Sequence, residues 1–375
     1  MSKLDDIIKA EIALRGPMPF ARFMELALYC PEYGFYERES NTVGRGGDFY
    51  TSVSVGVLFG ELLAFQFADW LAKLSGERLQ IVEAGAHDGK LAADILRWLA
   101  EHRGELFRRV EYVFVEPSTR RRGWQQETLR KFGQKVRWLD TELAASASEF
   151  NGIIFANELL DAMPVRRIGW DAKAQSWFEW GVTSSEQKFV WQRMPEEMIT
   201  PELRVLPPEL LAVLPDGFTT EICPSAEKWW TEAAKSLRSG WLLTFDYGLV
   251  AEEFFTPKRA QGTLRAYRRH RNDGDVLSEP GTQDLTAHVN FSQVQKAGEA
   301  TGLTTSMFTT QSEFIMGVAQ RFWPEAQQAG RWSSKQAREL QTLMHPEHLG
   351  RAFRVLVQTR GVAAGLTDKP VGHLA

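Results

Sequence analysis

Apolar and polar positions along this chain fall into two periods, and their alternation predicts the fold. Leu79-Gln80-Ile81-Val82-Glu83 is a short apolar run that predicts a buried strand. It breaks into Ala84-Gly85-Ala86-His87-Asp88-Gly89. A helix is expected next, with apolar positions at Leu91, Ile95, Leu96 and Leu99. Tyr112-Val113-Phe114-Val115 predicts a second strand, ending on Glu116. Gly152-Ile153-Ile154-Phe155-Ala156 predicts a third, ending on Asn157-Glu158-Leu159-Leu160-Asp161. Crossover helices are expected near 88–102 and 119–132, with a short strand at 136–139. This alternation predicts an α/β protein built on an open parallel sheet.

The flanking segments keep other patterns. Residues 3–15 and 20–29 predict two amphipathic helices, broken by Gly16-Pro17-Met18-Pro19. A long helix is expected from about Val55 to Leu74. The stretch 165–219 departs from the α/β alternation: 165–170, 177–182 and 189–193 predict antiparallel strands, followed by five prolines. Helical pattern resumes at 225–237, and the strand 241–245 ends on Asp246-Tyr247-Gly248. A helix near 292–301, a strand at 304–308, a helical excursion over 311–348 and a last strand at 353–359 complete the chain. The two closing strands predict an antiparallel pair at one sheet edge. The expected division is an N-terminal helical region with a cofactor-lid loop (1–75), a core (76–164 and 220–361), an inserted antiparallel β/loop subdomain lining a substrate site (165–219), and a disordered tail (362–375).

Composition narrows the classes. The 375 residues are 43% hydrophobic and carry 44 basic against 48 acidic residues, a net charge of −4. That balance lacks the basic excess of a nucleic-acid binder. Cys30 and Cys223, the two cysteines, argue against a disulfide framework and a structural zinc site. The seven histidines show no ligand-like pairing, so no metal is expected. No apolar stretch reaches the length of a membrane span. Residues 1–15 have no signal-peptide core and hold Asp5, Asp6 and Glu11. A cytoplasmic chain is expected, or a mitochondrial matrix protein if a presequence has been removed. The oligomeric state is not legible.

The turn at 84–89 narrows the cofactor. A dinucleotide brings a pyrophosphate, which this class of fold meets with Gly-x-Gly-x-x-Gly. Here only Gly85 and Gly89 are present, with His87 between them. S-adenosylmethionine has no phosphate and tolerates a looser turn. Glu116, at the tip of the next strand, is expected to accept hydrogen bonds from both ribose hydroxyls.

Several segments together resemble one family: GDFYTS (47–52), LFGELLA (58–64), the turn from Glu83, VEPS (115–118), ANELLDAMPV (156–165), TFDYG (244–248), GTLRAYRRHR (262–271), DLTAHVNF (284–291), TQSEF (310–314) and LGRAFRVLVQTRG (349–361). In order and over nearly the whole chain, they are similar to the S-adenosylmethionine-dependent methyltransferases related to the mitochondrial protein-arginine methyltransferase that assists respiratory complex I assembly. The resemblance implies a class I methyltransferase (Rossmann-like) fold, S-adenosylmethionine as donor, and a protein arginine as acceptor. Two positions depart from the family pattern. The family turn usually reads Glu-x-Gly-Pro-Gly-Arg-Gly, whereas His87 and Asp88 stand here. The family also commonly has a proline soon after the Thr-Ser pair, absent from TSVSVG (51–56).

Candidate roles follow. Methyl transfer from a sulfonium is an in-line displacement, so the protein mainly aligns the reactants. A guanidinium acceptor stays protonated in water and needs carboxylates to orient it. Glu158 is the first catalytic candidate and Asp161 the second, with a capping role for Asp161 equally open. Cofactor-binding candidates are Asp48, Thr51, Glu83, Gly85, Gly89, Glu116 and Asn157; helix capping is the alternative for Thr51. Asp246, Tyr247, Arg265, Tyr267 and His288 are candidates for the acceptor side. Alternatives to the protein-arginine reading are a small-molecule O- or N-methyltransferase and a non-catalytic assembly protein that keeps the fold.

Overall fold

The computed structural model describes residues 2–38, 51–139, 149–186, 188–195, 211, 213–268, 271–272, 274–328, 332–345, 349–350 and 352–362. Its centre is a sheet of seven main strands: β1 (Leu79–Ala84), β2 (Val110–Val115), β3 (Val136–Leu139), β4 (Phe150–Asn157), β5 (Leu237–Leu249), β6 (Thr304–Thr310) and β7 (Phe353–Arg360). Their spatial order is β6-β7-β5-β4-β1-β2-β3. Strands β3, β2, β1, β4 and β5 run parallel. The last strand, β7, inserts antiparallel between β5 and β6. The two closing strands thus pair as the sequence predicts, and the fold is α/β.

Both faces of this sheet are buried, which explains the near-continuous apolar runs. Successive residues point to opposite sides. Ile81, Ile153 and Leu243 pack on the face covered by α4 (Leu58–Leu71) and α5 (Lys90–His102). Val82, Ile154 and Leu242 pack on the other, against Trp230 and Val294 of the helices Pro224–Ser236 and Phe291–Ala300.

The expected single helix over 55–74 is two. α3 (Ser52–Val55) stops at Gly56, whose φ is +158°, and α4 begins at Leu58. The cause lies far away in sequence. The buried Glu339 carboxylate accepts the Leu58 N–H at 3.1 Å. A Cβ at Gly56 would come within 2.2 Å of that carboxyl group. Glu339 belongs to Ser334–Met344, the second of two helices that make up the 311–348 excursion.

A second, antiparallel sheet joins Met18–Pro19, Ser176–Ser185, Arg166–Asp171 and Thr219–Ile222, with Lys188–Arg193 beside Ser176–Ser185. Met18 pairs with Val182, so the start of the chain is stitched to the middle. α1 (Lys3–Arg15) and α2 (Phe20–Tyr29) share one apolar cluster with Val182, Leu264 and Leu285. Phe20 and Phe23 meet Trp191 and Phe189 at ring separations of 4.9 and 5.5 Å. Among the described residues no helix is long and apolar enough to cross a membrane.

Candidate active site

A cleft of about 1170 Å³ opens over the carboxyl ends of β1, β2 and β4, where open α/β sheets bind ligands. Its floor begins with the turn after β1. Gly85, His87 and Gly89 all take left-handed backbone, with φ of +73°, +45° and +80°. A Cβ at Gly85 would sit 2.9 Å from Leu159, so glycine keeps this approach open. His87 is a strained position for a side chain. Its ring lies 5.8 Å from that of Trp124, and its carbonyl accepts the Gln125 amide at 3.0 Å. Asp88 pairs with Lys90 at 2.5 Å, and both line the cleft.

Two acids from the first strands face this floor. Glu83 accepts the Tyr112 hydroxyl at 2.6 Å. Burial pushes its carboxyl up to about 8, against that hydrogen bond. Glu116, 2% exposed, accepts from the Ser118 N–H and Arg121 Nε, both at 2.9 Å, and from Gln125 at 3.3 Å. Arg121 also reaches Glu37 at 3.1 Å.

The tip of β4 supplies the third wall. Glu158 has a φ of +53°, and its N–H donates to the Phe245 carbonyl at 2.9 Å. Its carboxylate accepts the Asn157 amide at 3.0 Å and the Ser52 N–H at 3.3 Å. Desolvation, with the Asp246 charge adding to it, pushes the Glu158 carboxyl up to about 8. Thr51 both lines the cleft and caps α3, accepting the Ser54 N–H at 3.2 Å. Asp161 is buried beside Asp246 and Asp284, and burial with these like charges raises it well above the usual carboxylate range.

Facing them is a wall that sequence reading missed. Tyr29 and Tyr36 stack at 5.5 Å. The Tyr29 hydroxyl donates to the Ala162 carbonyl at 2.9 Å, and that of Tyr36 to Asp284 at 2.8 Å. Asp284 opens the DLTAHVNF motif, which was the available signal; nothing in the helical period separated the tyrosines from core residues. Arg121 and Gln125, one turn apart on Thr119–Thr128, were also missed.

The structure thus gathers Thr51, Glu83, Gly85, Glu116, Asn157, Glu158 and Asp161 around one cleft, with Gly89 closing the turn beneath it. It does not bring the five acceptor-side candidates there. Asp246 is fully buried behind the wall, where it accepts the N–H groups of Leu160 and Tyr247. The Tyr247 ring packs on Phe353 at 3.9 Å. Arg265 is exposed and donates to the neighbouring Leu264 carbonyl. Tyr267 stands opposite Asp284 in a small sheet, outside the lining. His288 lies in a separate small cavity; burial, with Arg265 and Arg259 nearby, holds it down at about 4 and so uncharged at neutral pH. Nor does any described residue of 165–219 line the cleft. Its described strands back α1 and α2, and the lining comes from α2, the residues after it, the helix Pro224–Ser236 and 284–286. Asp48 lies outside the described residues.

Among the described residues nine carboxyl groups line the cleft against three lysine or arginine side chains, and burial holds Glu83, Glu158 and Asp161 toward the neutral form. Comparison with known proteins agrees with this architecture. The crystal structure of a COG1565 superfamily member from Burkholderia thailandensis, bound to S-adenosyl-homocysteine, superposes with a TM-score of 0.83. It is 32% identical and covers 96% of this chain and 92% of its own. A relative named Protein arginine methyltransferase NDUFAF7 homolog, mitochondrial, from Drosophila melanogaster, is 26% identical over 96% of this chain and 86% of its own length. The mouse Protein arginine methyltransferase NDUFAF7, mitochondrial, is 28% identical over 92% and 81%. A family profile matches residues 62–309, most of the core sheet. The chain belongs to the S-adenosyl-L-methionine-dependent methyltransferases, and S-adenosylmethionine is its methyl donor.

Proposed function

We propose that this methyltransferase modifies an arginine of a partner protein. The observation that carries the reading is that Glu158, Asp161 and Asp284 line one cleft with the stacked rings of Tyr29 and Tyr36. Carboxylates and aromatic faces are what a planar cation needs. The names of the relatives support the same acceptor class.

The residues present fit the donor. S-adenosylmethionine supplies a methyl group already activated on a sulfonium. Gly85 keeps backbone close to the cleft, Glu83 and Asn157 border the same floor, and Gly89 turns the chain into α5. In this reading the turn and Glu83 hold the amino-acid tail, and Glu116 holds the ribose. Thr51 and Asn157 border the reacting end. Glu158 orients the acceptor guanidinium, and Asp161 assists from behind. A guanidinium arriving beside Glu158 favours the ionised carboxylate, so acceptor binding recruits the charge that burial suppresses. Orientation of this kind supplies up to about 7–11 kcal/mol in ideal cases.

The test is transfer of labelled methyl from S-adenosylmethionine into a lysate of the source cell. Label recovered as methylarginine after acid hydrolysis of the protein fraction is the expected result. Label confined to solvent-extractable small molecules overturns the reading.

A further inference from the structure

A carboxylate offers about four lone-pair sites, and in Glu116 three already hold protein donors. Oε1 takes the Ser118 N–H and Arg121 Nε; Oε2 takes the Gln125 amide. A ribose presents two hydroxyls. The sequence-based expectation that Glu116 accepts both is therefore met only if one protein donor yields. Ser118 is held by backbone at the cap of its helix. Gln125 is held at both ends of its amide, by the His87 carbonyl at 3.0 Å and the Trp138 indole at 2.7 Å.

Arg121 has somewhere else to go. Its Nη1 lies 3.1 Å from Glu37, and both residues are buried. Glu37 ends the turn Phe35–Glu37, directly after Tyr36. It also accepts the Ser118 hydroxyl at 2.8 Å, and its carbonyl accepts Arg120 at 2.9 Å. The segment that carries the aromatic wall is thus docked on the same helix that serves Glu116. The Arg121 guanidinium further sits 6.0 Å from the Tyr29 ring.

We infer that Arg121 is a positioning residue that passes ribose occupancy of Glu116 to the aromatic wall: as the ribose takes a site on Glu116, the Arg121 guanidinium shifts toward Glu37 and tightens residues 29–38 beside the acceptor end of the cleft. The inference rests on the assignment of the ribose to Glu116. Coupling is reciprocal, so a looser wall also weakens cofactor binding.

Amide hydrogen exchange on the full chain, with and without S-adenosylhomocysteine at a concentration shown by calorimetry to saturate, tests it. In the wild type the cofactor product slows exchange across 29–38 several-fold. In Glu37→Gln and in Arg121→Lys, which keeps the charge but loses the fork, that slowing disappears while the helix Phe291–Ala300 exchanges as in the wild type. The same slowing in either folded variant, or none in the wild type, overturns the relay. A Glu116→Ala variant that binds S-adenosylhomocysteine as tightly as the wild type withdraws the ribose assignment itself. Weakened binding in Glu116→Ala together with persistent slowing in Glu37→Gln withdraws only the relay.

Discussion

Asp246 accepts the backbone N–H of Leu160 at 2.8 Å, so the end of β5 holds the loop that follows β4. The same carboxylate accepts the N–H of Tyr247 at 2.9 Å. The Leu160 bond is buried and the Tyr247 bond partly so, and Asp246 does not line the cleft. Asp246→Val leaves two N–H groups unsatisfied, at about 1–3 kcal/mol each. A large fall in the urea midpoint is expected. Asp246→Asn keeps one acceptor oxygen and removes the charge that faces Glu158. Its fall should be clearly smaller. Equal losses in the two variants would show that the charge, not the bonding, sets the position of the loop.

Glu158 combines a left-handed backbone with the leading place for orienting an acceptor. Glu158→Gln keeps shape and hydrogen-bonding capacity and removes the charge. It should bind S-adenosylhomocysteine as the wild type does and lose methyl transfer into lysate protein. Glu158→Gly should lose activity as well, yet unfold no more easily, because relief of about 1–2 kcal/mol of left-handed strain offsets its lost contacts. Full activity in Glu158→Gln would remove the residue from the mechanism.

The ribose assignment gives a direct affinity test. Loss of charge-assisted bonding costs about 1.5–3 kcal/mol, so Glu116→Ala should weaken S-adenosylhomocysteine at least about tenfold by calorimetry. Glu116→Gln should fall between the two.

His87 departs from the expected turn and sits at a φ of +45°. His87→Gly keeps the backbone path and removes the strain and the Trp124 contact. Cofactor affinity should stay level or rise. An affinity drop of tenfold or more would mean that the imidazole itself contacts the ligand.

Glu83 sets a pH dependence of stability. Its folded pKa, about 8, lies above the ordinary 4.5, so the folded state holds the proton more tightly. That contribution is complete below the ordinary value and is lost as pH rises through about 8. Glu158 acts in the same direction. The unfolding free energy of the protein without cofactor, from urea titration, should fall between about pH 5 and pH 8, by up to about 1.4 kcal/mol per unit for each group. Glu83→Gln should flatten part of that slope; an unchanged slope would show that Glu83 titrates normally.

The sheet was readable because its strands are buried on both faces, which leaves unbroken apolar runs such as Ile153 and Ile154. The acids at strand tips were readable for a related reason: a charge ending such a run has to stand at the edge of the sheet. Partners distant in sequence were not. Nothing near Gly56 announces Glu339, and nothing near Glu116 announces Glu37. Asp246 illustrates the converse error. The sequence places it at a strand tip like Glu116, yet β5 runs on to Leu249 and the loop after β4 packs onto its carboxylate, so it is buried. A strand-end position gives an acid access to ligand or to loop backbone, and only the packed chain decides between them.

Among the described residues β7 is the last strand in sequence, yet it is an interior strand in space, flanked by β5 and β6. During synthesis, β5 and β6 leave the ribosome with nothing to join them. The nascent protein holds exposed strand edges until residue 360 has emerged. A chain that stops before β7 is therefore a split sheet, with two unpaired edges that invite aggregation or degradation. Closure of the sheet therefore waits for a strand that lies more than a hundred residues after β5, which lets the cell separate chains that have closed the sheet from those that have not.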